Sequence, residues 1–182
     1  MKIIAFAGSN SSKSINKKLA TYASSLFENA EVEVLDLNEY EAPLFSVDTE
    51  SEIGQAKEAQ LFLEKLKSAT ILVVSLAENN GNYSTAFKNI MDWCSRIEKE
   101  IFQNKPMLLM ATSPGGRGGK SVLEIAQNNL PRYGADVKAI FSLPSFNEHF
   151  DVANNKISDK NLNEELKEAV LKVQKQIDEK DA

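Results

Sequence analysis

Apolar residues follow two alternating patterns along the chain. Residues 107–111 are continuously apolar, and so are residues 71–76 apart from Ser75, which is typical of strands buried on both faces of a parallel sheet. Residues 2–7 resemble them. Residues 31–37 alternate between apolar and polar positions, which predicts a strand nearer the edge of the sheet. Residues 136–143 predict a fifth strand.

Between these strands, apolar residues recur every three or four positions, as they do on the buried face of an α-helix. Five such stripes run from Ile15 to Leu26, Ala59 to Leu66, Phe87 to Ile97, Val122 to Leu130 and Leu162 to Ile177. The repeated strand–helix order predicts an α/β fold with helices on both faces of a parallel sheet. The length suits one domain spanning residues 1–182, and residues 38–54 form a long connection without a predicted element.

The composition narrows the classes of function. The net charge is −5 and no block of Lys and Arg is present, which argues against binding of nucleic acid or an anionic membrane. Cys94 is the only cysteine and His149 the only histidine, so we predict no intrachain disulfide, no metal site and a cytoplasmic location. We expect neither a signal peptide nor a membrane-spanning helix. Cys94 lies on an apolar stripe and is predicted to be buried, whereas His149 is predicted at the surface or an interface.

The segment after the first strand, "GSNSSKSIN" at residues 8–16, is rich in hydroxyl groups. A helix N-terminus attracts anions through its unpaired N–H groups and the helix dipole, and serine hydroxyls add donors. We predict that Ser9, Ser11, Ser14 and Asn16 surround one phosphate group. The segment contains a single glycine, which favours a terminal monophosphate over a dinucleotide pyrophosphate. Capping of the helix by Ser14 alone is the alternative interpretation.

The segment after the fourth strand, "SPGGRGGKS" at residues 113–121, resembles a P-loop. The P-loop pattern requires glycine at the position of Pro114, which lacks a backbone N–H, so we reject a nucleotide triphosphatase. The four glycines around Arg117 let the backbone pass close to a flat ligand. Arg117 is either a solvated side chain or a partner of a ligand or second subunit.

The segment after the third strand, "AENNGNYSTAFKNIMDW" at residues 77–93, is ambiguous when taken alone. Its Asn-Asn-Gly sequence suits an ordinary turn, and the same groups can present donors and acceptors to a planar heterocycle.

Together the three segments resemble the NADPH-dependent FMN reductase-like flavoproteins, which include quinone and azo reductases. The resemblance runs from residue 2 to about residue 145 and includes "APLF" at residues 42–45. The family patterns are G-S-x-R-x-x-S-x-N, P-E-Y-N-G-S followed by L-K-N-x-x-D-W, and S-x-G-G-R-G-G. The matching residues are Gly8, Ser9, Ser14, Asn16, Glu78, Asn80, Gly81, Lys88, Asn89, Asp92, Trp93, Ser113, Gly115, Gly116, Arg117, Gly118 and Gly119.

The resemblance implies a flavodoxin-like three-layer α/β/α sandwich whose five-stranded parallel sheet has the order 2-1-3-4-5. It implies FMN as cofactor, NADPH or NADH as electron donor, and a homodimer or homotetramer. The implied reaction is ping-pong, with hydride passing from NAD(P)H to the flavin and electrons then passing to a quinone, flavin, azo or similar acceptor. No catalytic side chain is implied. The implied cofactor-binding residues are Ser9, Ser11, Ser14, Ile15, Asn16, Glu78, Asn79, Asn80, Gly81, Ser113, Gly115, Gly116 and Arg117.

Three positions depart from the family patterns. Ser11 replaces an arginine, Asn79 replaces a tyrosine beside the flavin, and Ser84 replaces a proline. The missing arginine and tyrosine leave open an alternative function, that of a flavin-binding electron carrier with little NAD(P)H turnover. A module that binds a phosphate ligand without flavin is a third interpretation.

Overall fold

The computed structural model describes residues 1–178 and contains a five-stranded parallel sheet. The sheet strands are β1 (Lys2–Gly8), β2 (Glu31–Leu35), β3 (Ile71–Leu76), β6 (Lys105–Thr112) and β7 (Ala135–Leu143). Two short antiparallel ribbons are formed by β4 (Glu78–Asn79) with β5 (Asn82–Tyr83) and by β8 (Phe150–Asp151) with β9 (Lys156–Ile157). The sheet order is β2-β1-β3-β6-β7, which confirms the predicted order 2-1-3-4-5 of the five sheet strands.

Helices cover both faces of the sheet. The long helices are α1 (Ile15–Ser24), α3 (Lys57–Ser68), α4 (Thr85–Ile97), α5 (Lys120–Asn129) and α7 (Lys160–Asp178). In β1, Ile3 and Ala5 belong to the core shared with α1 and α7, whereas Ile4 and Phe6 belong to the core shared with α3, α4 and α5. Successive side chains of a strand point to opposite faces, so a continuously apolar strand serves both cores and the three-layer prediction is confirmed.

The main difference from the prediction lies between β2 and α3. Strand β2 ends at Leu35, and a 3₁₀ helix (Leu37–Tyr40) and α2 (Val47–Ile53) follow. The Ser46 hydroxyl caps α2 by accepting a hydrogen bond from the Thr49 backbone N–H at 2.9 Å. None of the residues of α2 is buried, so the helix has no apolar stripe and periodicity could not reveal it. A further short helix, α6 (Phe146–His149), follows β7.

Two side chains of α4 fasten the connection between β2 and α2. The Asn89 amide donates to the carbonyls of Ala42 and Pro43, each at 3.1 Å, and accepts from the Phe45 N–H at 2.8 Å. The Trp93 indole N–H also donates to the Pro43 carbonyl, at 2.7 Å. Trp93 is fully buried, so it is a core residue. These contacts join the segment "APLF" to α4.

Across residues 1–178, no helix combines the length and the apolar character that crossing a bilayer requires.

Candidate functional site

Three loops meet at one edge of the sheet. Strands β1, β3 and β6 are neighbours and run parallel, so their carboxyl ends lie together. The cup loop (residues 9–14) follows β1, the hairpin (residues 78–83) follows β3 and the glycine loop (residues 113–119) follows β6. This edge is where open α/β sheets bind their ligands.

Three of the four serine hydroxyls of the cup loop, those of Ser9, Ser11 and Ser14, share one arrangement. The Ser9 Oγ accepts from the Ser11 N–H at 3.2 Å, and the Ser11 Oγ accepts from the Lys13 N–H at 3.3 Å. The Ser14 Oγ accepts from the Lys17 N–H at 3.1 Å and thereby caps α1. A hydroxyl that accepts from the backbone still has its own hydrogen to donate. Capping and anion binding are therefore compatible, and each serine keeps a donor for an anion.

The first turn of α1 adds backbone donors to this loop. Ser14 is the N-cap, which places Ile15 and Asn16 at the first two helical positions. The N–H groups at these positions have no partner within a helix and lie at the positive end of its dipole. The contribution predicted for Ile15 is therefore a backbone N–H.

The Asn16 side chain belongs to the framework. It is 3% exposed, and its Nδ2 donates to the Thr112 carbonyl at 3.1 Å. Its Oδ1 accepts from the Thr112 N–H at 2.9 Å and from the Ser75 hydroxyl at 2.7 Å. These bonds tie α1 to the ends of β3 and β6. The Asn16 group that remains for an anion is its backbone N–H.

The hairpin turns through two residues with positive φ, Asn80 at +51° and Gly81 at +75°. This conformation suits a two-residue hairpin, for which Asn-Gly is the preferred sequence. The hairpin exposes Asn79 and Asn80 at the edge of the sheet. The turn interpretation of this segment is therefore correct, and it leaves the side chain of Asn79 free for a ligand.

The Glu78 carboxylate joins the hairpin to the glycine loop. It accepts a hydrogen bond from the Val122 N–H at 3.0 Å, in the first turn of α5. The N-cap of α5 is Gly119, which has no side chain to cap the helix. Glu78 supplies that cap from the hairpin. Sequence reasoning missed this role, because 44 residues separate the two groups.

Ser84, which follows the hairpin, is bonded to Gly8, the last residue of β1. Its hydroxyl donates to the Gly8 carbonyl at 2.8 Å and accepts from the Phe87 N–H at 3.1 Å, so it also caps α4. A proline at this position has no hydroxyl, so the departure from the family pattern adds a link between the start of α4 and the end of β1.

The glycine loop is open before Arg117 and crowded after it. Gly115 and Gly116 are exposed, and a Cβ added to Gly116 would meet no atom within 4 Å. Gly118 and Gly119 are buried, with φ of +59° and +76°. The first pair leaves the backbone accessible to a planar ligand. The Arg117 guanidinium donates to the Ser121 hydroxyl at 3.2 Å and is exposed, and the Ser113 hydroxyl donates to the Gly115 carbonyl at 3.2 Å.

Tyr83, the last residue of the hairpin, packs edge-on against Phe87 with 5.2 Å between ring centroids. Its hydroxyl oxygen is buried and has no hydrogen-bond partner among residues 1–178. Burial raises the pKa of Tyr83 to about 12, so the phenol is neutral at physiological pH.

Cys94 and His149 lie outside the three loops. Cys94 is fully buried, as predicted, and burial raises the pKa of its thiol to about 12, so it is not a nucleophile. His149 lies beside Asp159, with 3.8 Å between Nδ1 and Oδ2. In the part of the chain that the structure describes, no group of three His, Cys, Asp or Glu residues could hold a metal ion.

The donor set fits a flat, monophosphorylated cofactor. Three hydroxyls with free hydrogens and the first N–H groups of α1 match the oxygens of a phosphate. The exposed amides of the hairpin and the open backbone at Gly115 and Gly116 border the space that a planar ring system would occupy.

Comparison with known proteins gives a consistent result. A family model described as NADPH-dependent FMN reductase matches residues 1–148. A quinone reductase of Escherichia coli is 30% identical over 77 residues, which are 42% of this chain and 41% of that enzyme. A probable NADPH:quinone oxidoreductase of Oryza sativa subsp. japonica is 25% identical over 188 aligned positions, covering 96% of this chain and 90% of the rice protein.

Among solved structures, the flavoenzyme NAD(P)H:acceptor oxidoreductase FerB of Paracoccus denitrificans superposes with a TM-score of 0.76. The match covers 98% of this chain and 97% of FerB at 20% sequence identity, so it establishes a shared fold.

Proposed function

The chain belongs to the NADPH-dependent FMN reductase family, and we propose that it holds FMN at the cup loop, the hairpin and the glycine loop and uses NADPH or NADH to reduce a quinone, flavin or azo acceptor. It is an FMN-dependent oxidoreductase by family membership. The acceptor and the individual cofactor contacts are the parts that we propose.

The observation that carries the proposal is the donor arrangement of the cup loop. Ser9, Ser11 and Ser14 each accept one hydrogen bond from the loop backbone and keep one hydrogen to donate. Hydrogen bonds to an ionised phosphate are about twice as strong as neutral ones, so the Ser11 hydroxyl offsets part of the loss of the family's arginine at that position. Lys13, exposed in the same loop, adds positive charge.

The remaining loops are proposed to hold the ring system. The hairpin would border one edge through Asn79, Asn80 and Gly81, and the glycine loop the other edge through Gly115 and Gly116. Glu78 acts indirectly, because its carboxylate is bound to the Val122 N–H and keeps the two loops together. Bound FMN supplies the hydride and electron transfer, and the protein supplies binding and orientation.

No side chain of the three loops is assigned as a general acid or base. The Glu78 carboxylate is engaged as a helix cap, and the Tyr83 phenol is neutral with a buried oxygen. Substrate orientation and exclusion of water are therefore the proposed contributions of the polypeptide.

The first test is the visible absorption spectrum of the purified protein, recorded with FMN and then with NADPH or NADH under anaerobic conditions. We expect a flavin spectrum that is lost on addition of at least one donor and returns when a quinone is added. A flavin spectrum that neither donor changes would contradict a reductase and support an electron carrier.

A matched pair of variants tests the cup loop itself. Ser11→Ala removes a hydroxyl assigned to the phosphate, whereas Ser12→Ala removes an exposed neighbour that is not assigned. We expect Ser11→Ala to raise the dissociation constant of FMN about tenfold, the loss of one charge-assisted hydrogen bond. Ser12→Ala should change it about twofold or less. Equal effects would show that the loop does not bind phosphate in the proposed way.

The oligomeric state of the protein and its cellular compartment are also proposals. Exposed apolar side chains of the connection before α3 support a homodimer or homotetramer, since Leu44 is 72%, Val47 68% and Ile53 52% exposed. The presence of a single cysteine supports a reducing compartment such as the cytoplasm. Sedimentation velocity of the purified protein measures the first of these properties.

A further inference from the structure

A cavity of about 460 Å³ lies beside the hairpin. Asn10 of the cup loop and Asn79 of the hairpin line it, together with the start of α4 and residues 37–44 of the connection after β2. We call it the connection cavity. Its volume is within the range of small-molecule sites, and two of the three proposed cofactor-binding loops contribute to its wall.

The lining of the connection cavity is polar but almost uncharged. Asn10, Asn38 and Asn79 supply amide groups, while Leu37 and Ile90 supply apolar surface. The amide of Asn89, another lining residue, is committed to the connection backbone. Amide N–H groups beside an apolar surface suit a ring that carries carbonyl oxygens.

Glu41 is the only charged side chain in this lining. It is exposed, and no Lys, Arg or His among residues 1–178 forms an ion pair with it. The connection around it, residues 38–54, carries five carboxylates and no Lys or Arg: Glu39, Glu41, Asp48, Glu50 and Glu52. Of these five, Glu50 is paired with Arg96 at 2.8 Å, so a negatively charged molecule that enters the cavity meets the unpaired charge of Glu41.

Positive charge is concentrated elsewhere. Lys13, Lys17 and Lys18 line a separate depression next to the cup loop, which the connection cavity does not include. Of these three, Lys17 is paired with Asp36 at 2.6 Å. The two depressions thus differ in the sign of their charged side chains.

We propose that the connection cavity is the acceptor site of the reductase and that Glu41 selects against acceptors with negative charge. The favoured class is a neutral or cationic ring compound with carbonyl oxygens, and the disfavoured class comprises sulfonated or carboxylated analogues. The proposal rests on the proposed reductase function and assigns the specificity of its second substrate. Rejection of the wrong charge is a common source of specificity.

The test measures equilibrium binding to the FMN-loaded full-length protein without NAD(P)H, so that no turnover occurs. The probes are naphthoquinone and naphthoquinone sulfonate, which differ by one negative charge. Calorimetric titration gives the two dissociation constants, and amide chemical shifts locate the site. We expect the sulfonate to bind more weakly and the neutral quinone to shift the amides of residues 37–44.

Two variants make the test specific to Glu41. Glu41→Gln should lower the ratio of the sulfonate to the neutral dissociation constant about threefold, as expected for one exposed charge. Glu52→Gln removes the same charge from α2, outside the lining, and should change that ratio by a factor of about 1.5 or less. Glu41→Lys should lower the ratio to below one, so that the sulfonate binds more tightly than the neutral quinone.

Three results would overturn the proposal. Equal changes of the ratio in Glu41→Gln and Glu52→Gln would show that the selectivity comes from the overall negative charge of residues 38–54 and not from Glu41. Amide shifts confined to residues 115–117 would place the acceptor elsewhere. Weaker FMN binding by Glu41→Lys with an unchanged quinone ratio would assign the cavity to the cofactor. Failure of the proposed function is a separate result, since it appears as the absence of a flavin spectrum or as a flavin spectrum that neither NADPH nor NADH changes.

Discussion

The glycine loop contains two pairs of glycines in opposite surroundings. Gly115 and Gly116 precede Arg117, and Gly118 and Gly119 follow it. The first pair is exposed, and the φ angles of both residues are outside the left-handed region. The second pair is buried and has positive φ. A Cβ on Gly118 would lie 2.9 Å from backbone atoms at the end of β7, closer than real Cβ atoms approach such atoms.

The comparison separates two reasons for glycine within one motif. After the arginine, glycine permits a backbone conformation and a packing distance that other residues cannot adopt. Before the arginine, it keeps the surface clear for a ligand. The other loops divide in the same way, because Ser9 and Ser11 keep free donors while the side chains of Asn16 and Glu78 bind the framework.

The largest effect should come from Gly118→Ala. The new methyl group would meet the backbone of Leu143 and Pro144, and alanine disfavours φ of +59°. We expect the free energy of unfolding to fall by about 4 kcal/mol, measured by urea denaturation. Gly116→Ala is the matched control and should change it by about 0.5 kcal/mol or less. A similar loss in both variants would remove the distinction between the pairs.

Asn16→Ala should have the next largest effect. The substitution leaves the buried Thr112 N–H and Ser75 hydroxyl without their partner. The expected loss is about 3 kcal/mol of unfolding free energy. Asn10→Ala, in the exposed part of the cup loop, provides the comparison and should retain nearly full stability. If Asn16→Ala were as stable as wild type, its side chain would not be part of the framework.

A smaller effect, on binding alone, is expected for Gly116→Ala. A methyl group in the open space above this backbone should hinder a planar ligand and raise the dissociation constant of FMN about tenfold. Quenching of flavin fluorescence on titration measures the constant, and thermal melting without FMN checks that the fold is intact. Unchanged FMN affinity would mean that this pair does not face the cofactor.

The smallest expected effect on the free energy of unfolding comes from Asp36→Asn, which removes the ion-pair partner of Lys17 in α1. The hydrogen bond from Lys17 lowers the pKa of Asp36. A pKa below its unfolded value means that the interaction stabilises the fold fully above the unfolded pKa, and that this contribution is lost as the pH falls through the folded pKa. We expect Asp36→Asn to cost about 0.5 kcal/mol at neutral pH, because the pair is partly exposed.

The pH dependence provides the control for this variant. The stability difference between wild type and Asp36→Asn should shrink as the pH falls below about 4, the usual pKa of an aspartate. Urea denaturation at several pH values measures it. A difference that persists at low pH would assign the effect to packing rather than to charge.

The sequence by itself determined the architecture and the positions of the three loops. In continuously apolar strands and amphipathic helices, the residue type at each position indicates whether that position is buried. The apolar residues Ile3 to Phe6 alone therefore predict that β1 contributes side chains to two cores. The hydroxyls of the cup loop and the Asn-Gly turn are likewise local features, since their main partners lie within a few residues. The short helix α2 escaped prediction because it packs no apolar face into the core.

Only the tertiary structure decided which motif residues face a ligand and which bind the framework. The partners of Asn16 and Glu78 lie as far as 96 and 44 residues away in the chain. Contacts of this kind depend on the sheet order and the crossover connections, and no periodicity in the sequence records them. The same holds for the connection cavity, where Asn10, Glu41 and Asn79 come together because β1, β2 and β3 end side by side.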